Sequence, residues 1–422
     1  MDLLLLGVLI ALFLVGTPIA IGLLAVAAIA LLFVMDVPAT VIHQVLFGSI
    51  DKFALISVPF FLFAGEVMGV GGVSRRIVEW TLSFLGPIRG NRGLTTVGAC
   101  TVFGAISGSS VATVAAVGQL MYPDLKQRYG ERFASGLIAS TGSIDILIPP
   151  SIAMILYGAA AQQSVPKLFL AGVLPGLVMA AFMAAYVIYY ARANGIDDRQ
   201  SFSWQSVYRT TISSAWALGA PVVVFGGMYG GIFSPTEAAG AACVYGIIVT
   251  KFVYRDISWR ELWTSAVNSM FLTSQILIIV GAAGVYSWLL TVSGTPQAAV
   301  NAAQAVTSSQ WSVLLMINLV LLAAGCIMDP ASAILLFTPL FVPICQAYGI
   351  DLIHFGIIMT MNLAIGMFTP PIGLNIFVTQ ALTKVPLSVL YPGLIPFTVV
   401  SLLALLLVTY IPGLSLWLAR LA

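Results

Sequence analysis

The sequence predicts an all-α membrane protein that crosses the bilayer many times and is built from two copies of one architecture. Apolar stretches of about 20 residues recur from end to end, each long enough to span a hydrocarbon core about 30 Å thick. Of the 422 residues, 60% are hydrophobic and 8% charged, against roughly 25% charged in a soluble domain, so water is not this chain's main solvent. The duplication rests on a shared displacement. Ile148-Pro149-Pro150 recurs as Thr369-Pro370-Pro371, and Gly172-Val173-Leu174-Pro175 recurs as Gly393-Leu394-Ile395-Pro396, both 221 positions later. Gly16-Thr17-Pro18 matches Phe233-Ser234-Pro235 at 217, and Ser107 to Ser110 falls opposite Met328 to Ala331 at 221.

Taken in order, residues 1–35 lack a basic n-region and a clear small-residue cleavage site, and read as a retained spanning helix rather than a leader. The first repeat occupies 1–194, a connector and linking helix 195–230, and the second repeat 231–422. Each half carries a long helix, a second helix, a short amphipathic piece, a hairpin-like segment, a Pro-interrupted helix and a closing helix. The hairpins are expected at 94–125 and 312–347, the broken helices at 133–158 and 353–378. The most polar linker, 192–209, is too short for a soluble catalytic domain, so any function resides in the membrane part. Four cysteines, Cys100, Cys243, Cys326 and Cys345, sit in apolar runs without CxxC spacing and read as small buried hydrophobes. The net charge of +2 carries no nucleic-acid signal, because the basic residues mark orientation.

Arg89 and Arg92 precede the first hairpin and Lys126, Arg128 and Arg132 follow it, so both its ends are expected on the cytoplasmic side. The second hairpin has no lysine or arginine near either end and is expected to enter from outside. Opposed entry makes the repeats inverted in topology and brings two re-entrant tips towards the midplane. With residues 74–92 as an interfacial arm, the N-terminus lies inside.

Four breaks interrupt the apolar runs, and backbone broken at membrane depth is tolerated only when buried in protein or lining a wet cavity. Gly104-Ala105-Ile106-Ser107-Gly108-Ser109-Ser110 offers hydroxyls where one half-helix ends and another begins. Free carbonyls there suit a hard cation such as Na⁺, and free amides suit a carboxylate; the same residues also suit a close helix-packing face. Thr141 to Ser151 contains Asp145 and the double proline Pro149-Pro150, which removes two amide donors. Gly325 to Ser332 places Asp329 in an apolar segment, either as a functional carboxylate or as a helix N-cap. Gly366 to Asn375 repeats the double proline beside Thr369. Asp145 could equally orient its broken helix. Glu66 and Glu237, within apolar helices, read as buried hydrogen-bonding or subunit-contact groups, and His43 and His354 as interfacial. Trp204, Trp259, Trp263, Trp311 and Trp417 fit an aromatic belt.

These stretches, together with Gly231-Ile232-Phe233-Ser234-Pro235-Thr236-Glu237, resemble the large membrane (M) subunit of tripartite ATP-independent periplasmic (TRAP) transporters over essentially the whole chain. The resemblance implies a multi-pass protein of the bacterial inner membrane that is no enzyme. It implies secondary active uptake of a small organic acid, such as a dicarboxylate or sialic acid, driven by co-transported Na⁺ through an elevator mechanism of the ion-transporter-superfamily kind. A small membrane subunit of about four helices, a periplasmic substrate-binding protein and membrane lipid are the implied partners. One implied Na⁺ site joins Ser107, Gly108 and Ser109 to Gly142, Asp145 and Pro149; a second joins Gly325 and Met328 to Gly366 and Thr369. The implied substrate position lies near Ser109, Ser110, Pro150, Asp329 and Asn375. No arginine lies within the breaks. A stand-alone Na⁺/dicarboxylate-type symporter of related fold is the nearest alternative. An intramembrane hydrolase is disfavoured by the lack of HExxH or paired intramembrane histidines, and a channel by opposed hairpins.

Overall fold

The computed structural model describes residues 7–9, 11–13 and 15–421. The N-terminal helix expected over 1–35 therefore lies partly outside the described residues; its described part is helical at 7–9 and 11–13 and continues after Pro18 as α1 (Ile19–Ile29) and a π-helical turn (Ala30–Val34). Helices and their connections make up the described chain, with no strand. In the first half follow α2 (Ala39–Ile50), α3 (Ser57–Val70), α4 (Val73–Leu85), the helix pair α5 (Asn91–Ser107) and α6 (Ser110–Tyr129), the pair α7 (Glu131–Leu147) and α8 (Ile152–Ala161), and α9 (Val165–Ala193). After α10 (Trp204–Tyr229) come α11 (Pro235–Ile247), α12 (Trp259–Ser293), α13 (Thr295–Val306), the pair α14 (Gln310–Gly325) and α15 (Pro330–Ala347), the pair α16 (Leu352–Gly366) and α17 (Leu374–Thr383), α18 (Leu387–Tyr410) and α19 (Gly413–Ala419).

Seven helices among the described residues are long and apolar enough to cross a membrane, and α7 with α8 makes an eighth candidate, bent by 43° at its break. Local chemistry sets many of the boundaries. Ser234 and Glu237 form a capping box at the start of α11, as Ser258 and Glu261 do for α12, each satisfying two otherwise free helix-end amides. Prolines inside α9, α15 and α18 do not end those helices, because apolar surroundings and neighbouring helices favour keeping the remaining backbone bonds.

The two halves diverge at their second helix. In the second half it is α12, 35 residues without interruption; in the first, the corresponding stretch turns at Asp51 and Lys52 between α2 and α3. The short amphipathic pieces are α4 and α13. Packing sorts most helices into two bodies: a frame of α1–α4 with α10–α12, and a bundle of α5–α9 with α14–α19, while the short α13 follows α12 and packs mainly on α15. The bundle core is rich in aromatic stacking, with Phe133 and Tyr190 ring centroids 4.1 Å apart and Phe397 and Tyr186 packed beside them.

His354 departs from its interfacial expectation: it is buried, its ring bonded to the Ser415 hydroxyl and the Thr409 carbonyl oxygen, because the α18–α19 corner folds over the start of α16. Trp204, Trp259, Trp263, Trp311 and Trp417 are all exposed, as membrane-facing anchors are.

Candidate functional site

All four sequence breaks lie in the bundle, and each leaves a half-helix ending and another starting. A cavity of about 910 Å³ opens between the bundle and the frame where these ends converge. Its lining includes Ser110, Val111 and Ala112 from the start of α6, Ile152 and Ala153 from the start of α8, Pro330 and Ala331 from the start of α15, and Leu374 from the start of α17. Four helix N-termini therefore face one space. An uncapped helix start carries about half a positive charge on its unsatisfied amides; the charged residues lining the cavity are the carboxylates Glu66 and Asp329.

The four N-termini are not equally available. Ser151 accepts the Met154 amide and caps α8. At α15, Asp329 is the N-cap: its two carboxylate oxygens take the Ser332 amide at 3.0 Å and the Ser332 hydroxyl at 2.5 Å. By contrast α6 begins after Ser109 with no side-chain cap; α17 also lacks a side-chain cap after Gly373, but its Asn375 amide already donates to the Met367 carbonyl oxygen at 2.9 Å. The amides of Ser110, Val111 and Ala112 have no intrahelical acceptor, and they line the cavity.

The first tip folds tightly on the first broken helix. Ser107 ends α5 and is buried, and Gly108 turns the chain at φ +63°, a left-handed conformation that favours glycine. A Cβ on Gly108 would sit 2.5 Å from the Pro150 carbonyl oxygen. Beneath the tip lies Asp145, fully buried. One of its oxygens accepts the Thr113 hydroxyl, and Oδ1 has no hydrogen-bond partner. A buried carboxylate oxygen without a partner is costly; the Ser107 side chain and the backbone amides of Gly108 and Ser109 lie beside the same carboxylate. Pro149 belongs to the same break, where Pro149-Pro150 is cis, as is Pro370-Pro371. Gly142 stands apart from this group: it is inside α7, packed on Val114 and the Ser110 carbonyl oxygen, a close-approach glycine one turn short of Asp145.

At the second break Gly325 and Gly366 touch: a Cβ on Gly366 would lie 2.4 Å from the Gly325 carbonyl carbon. The equivalent first-half pair, 221 positions earlier, is Gly104 with Asp145, where a Gly104 Cβ would lie 2.9 Å from the Asp145 Cα. Both hairpins therefore meet their broken helices at matching positions. Met328 lies in the second tip, and the Thr369 hydroxyl is turned back onto the Ile365 carbonyl oxygen at 2.7 Å.

Ser109, Ser110 and Asp329 line the cavity, whereas Pro150 and Asn375 do not. Asn375 is buried and committed elsewhere: its side-chain amide donates to the Ser110 hydroxyl at 2.8 Å and to the Ala139 carbonyl oxygen at 3.0 Å, tying the second broken helix to the first hairpin. The frame wall opposite the tips includes Leu62, Glu66, Gln275 and Ile276, and the Asn268 side chain donates to Glu66 at 3.3 Å. The structural reading of Glu66 as a hydrogen-bonding or subunit-contact group is joined here by a place in the cavity wall, and Gln275 lies beside it with only its polarity in the middle of an apolar helix as a sequence signal. Glu237 is spent in its capping box. At the other end of α8, Lys52 donates to the Ala159 carbonyl oxygen and Tyr229 to the Pro166 carbonyl oxygen, both at 2.8 Å, so two frame side chains grip the α8–α9 corner.

A profile of the family described as "Tripartite ATP-independent periplasmic transporter, DctM component" matches residues 6–414. The chain is 38% identical over 415 residues to the isethionate TRAP transporter permease protein DctMQ of Oleidesulfovibrio alaskensis, covering 97% of this chain and 65% of that longer protein. It is 37% identical to the C4-dicarboxylate TRAP transporter large permease protein DctM of Rhodobacter capsulatus over 98% of each chain, and 36% identical to the ectoine/5-hydroxyectoine large permease protein UehC of Ruegeria pomeroyi over 98% and 97%. Among solved structures it is similar to the Alcanivorax borkumensis YdaH transporter, with a TM-score of 0.59, 14% identity and 89% of each chain covered, a likeness of fold.

Proposed function

The chain belongs to the DctM-component family of tripartite ATP-independent periplasmic transporters, a multi-pass protein of the inner membrane, and from that premise we propose that it carries a small organic acid inward, coupled to Na⁺. The observation that carries this reading is the convergence of four half-helix N-termini on one cavity, two of them without a side-chain cap. A substrate carboxylate binds at the uncapped start of α6, where the amides of Ser110, Val111 and Ala112 and the Ser109 hydroxyl supply donors. The start of α15 is already neutralised by Asp329, so this residue acts chiefly as a cap and as a boundary to the bound anion.

Na⁺ sits beneath the first tip, with the Ser107 hydroxyl, the carbonyls around Gly108 and Ser109, and Asp145 Oδ1 as ligands; a second ion sits where Gly325, Met328, Gly366 and Thr369 meet. Each ion would neutralise helix-end carbonyls and stiffen a tip, preparing the neighbouring amides for the anion. Movement follows an elevator scheme, in which inverted repeats place the bundle and its cargo alternately on either side of the frame. The grip of Lys52 and Tyr229 on the α8–α9 corner must then be broken and remade in each cycle. A small membrane subunit and a periplasmic binding protein complete the system. The ectoine, isethionate and C4-dicarboxylate names of the relatives span different organic solutes, which is consistent with selectivity being set largely by the binding protein.

Reconstitution tests the reading. Proteoliposomes holding the chain with its small subunit, given binding protein and an inward Na⁺ gradient, are expected to accumulate labelled organic acid and to stop when Na⁺ is replaced by K⁺. Accumulation by the chain alone, unchanged by binding protein, would instead establish the stand-alone symporter.

A further inference from the structure

A second cavity, of about 710 Å³, lies outside the site described above, between one face of α4 and one face of α10. Its wall on α4 is Arg75, Arg76, Glu79, Leu82 and Ser83, and its wall on α10 is Ser206, Arg209, Thr210 and Ser213; Gln200 and Asp256 close it. Both runs follow the three- and four-residue spacing of a helix face, so two helices present polar stripes to one groove. Three guanidiniums face two carboxylates.

The three arginines differ in commitment. Arg76 is held by Asp256 at 2.5 Å and stacks on the Tyr254 ring at 3.7 Å from its centroid. Arg75 makes an exposed pair with Glu79, of a kind that contributes little in water. Arg209 is exposed and has no ion pair among the described residues. The groove therefore has one uncommitted guanidinium and a second that is easily recruited, with hydroxyls between them.

What surrounds the groove defines what fits it. It sits beside the connector at the arginine-rich end of the helices, and Trp204 at the start of α10 is exposed at an interfacial position. One turn and two turns along α10 from the arginine, Ile212 and Trp216 are exposed and continue the same face towards the apolar part of the helix. A charged end leading onto an apolar strip matches a phospholipid, and guanidinium groups recognise phosphate through paired donors.

We propose that this groove binds the phosphate headgroup of an anionic phospholipid of the cytoplasmic leaflet, with Arg209 and Arg75 as the phosphate ligands and the acyl chains running along Ile212 and Trp216. Basic pockets between membrane helices on the cytoplasmic side are suited to such headgroups. The lipid would bridge the interfacial arm α4 to α10, bracing the frame next to the connector. Glu79 limits the affinity by occupying Arg75.

Native mass spectrometry of the full chain in nonionic detergent tests this, titrated separately with phosphatidylglycerol, phosphatidylcholine and inorganic phosphate. Phosphatidylglycerol is expected to be retained at least tenfold more tightly than phosphatidylcholine, and R75Q/R209Q to abolish the difference while phosphatidylcholine retention stays unchanged. E79Q, which keeps both arginines, is expected to tighten phosphatidylglycerol retention about threefold, and gives a readout independent of how well the double variant folds. Unchanged preference in R75Q/R209Q, or no gain in E79Q, overturns the assignment. Displacement of the lipid by millimolar inorganic phosphate would show a site for the free anion and overturn the lipid reading.

Discussion

The two halves place the same breaks at matching positions and equip them differently. In the first, the hairpin tip is neutral, its inner helix α6 starts without a side-chain cap, and the carboxylate lies below it on the broken helix as Asp145. In the second, the carboxylate is on the tip itself, where Asp329 caps α15, and the position matching Asp145 is Gly366. One scaffold thus yields a first tip whose helix start is open to an anion and a second whose helix start is already occupied. The matching breaks share a geometry; the different residues at two matching positions set the electrostatics.

The hairpin bases differ as well. At the first, the connector carboxylate of Asp198 accepts the amides of Gly90, Asn91 and Arg92 and the hydroxyl of Tyr129, tying both ends of the hairpin to the chain that leads into α10. At the second, the Tyr348 hydroxyl donates to the Thr307 carbonyl oxygen, and no carboxylate takes part among the described residues. Burial alone would raise the Asp198 pKa, but the Tyr129 hydroxyl and the three amides outweigh it and hold the group below the usual carboxylate range.

The comparison breaks most visibly at the paired glycines. Gly366→Ala pushes a methyl into the Gly325 backbone at 2.4 Å, and should cost about 3 kcal/mol or more, since backbone yields less readily than a side chain. Gly104→Ala meets the Asp145 Cα at 2.9 Å and should cost less. Thermal unfolding in detergent ranks the two, and equal losses would mean that the breaks are packed alike.

Next in size, Asp145→Asn should raise the Na⁺ concentration for half-maximal uptake about tenfold, or about 1.4 kcal/mol, whereas Thr369→Ala should raise it only a few-fold, because that hydroxyl is already bonded to its own helix. If Thr369→Ala is the more damaging, the carboxylate is not the distinguishing ligand.

Asp198→Ala leaves three amides and a hydroxyl without their acceptor and should destabilise the first hairpin by about 1–3 kcal/mol, seen as faster amide exchange in residues 90–95 than in 307–312. The pH dependence has a definite sign. A carboxylate with a lowered folded pKa contributes fully above its unfolded value, about 3.9, and loses that contribution as pH falls through the folded value. Acid should therefore loosen the first base before the second.

The smallest effect is expected at Asp329. Ala removes the cap and should cost about 1 kcal/mol, while Asn caps nearly as well. Uptake that survives Asp329→Asn but weakens in proportion to stability in Asp329→Ala marks a cap; uptake lost in both at normal abundance marks a direct role in transport.

The sequence by itself determined the solvent, the helical class, the places where helices break and the family, because these depend on composition, proline chemistry and motifs that are local in the chain. It left Asp329 between cap and ligand, and the folded tip shows the cap: the two carboxylate oxygens accept the Ser332 amide and hydroxyl. It grouped Asn375 with the substrate residues on motif position, whereas the structure spends that side chain on Ser110 and Ala139, 265 and 236 positions away. It placed Gly142 with the cation ligands, and the register of α7 turns that residue onto Val114 instead. Which polar atoms face a cavity and which are satisfied by distant backbone depends on how frame and bundle pack, and no local pattern encodes that. The convergence of four helix starts on one space is of this kind: each break was legible alone, but their common target belongs to the tertiary structure.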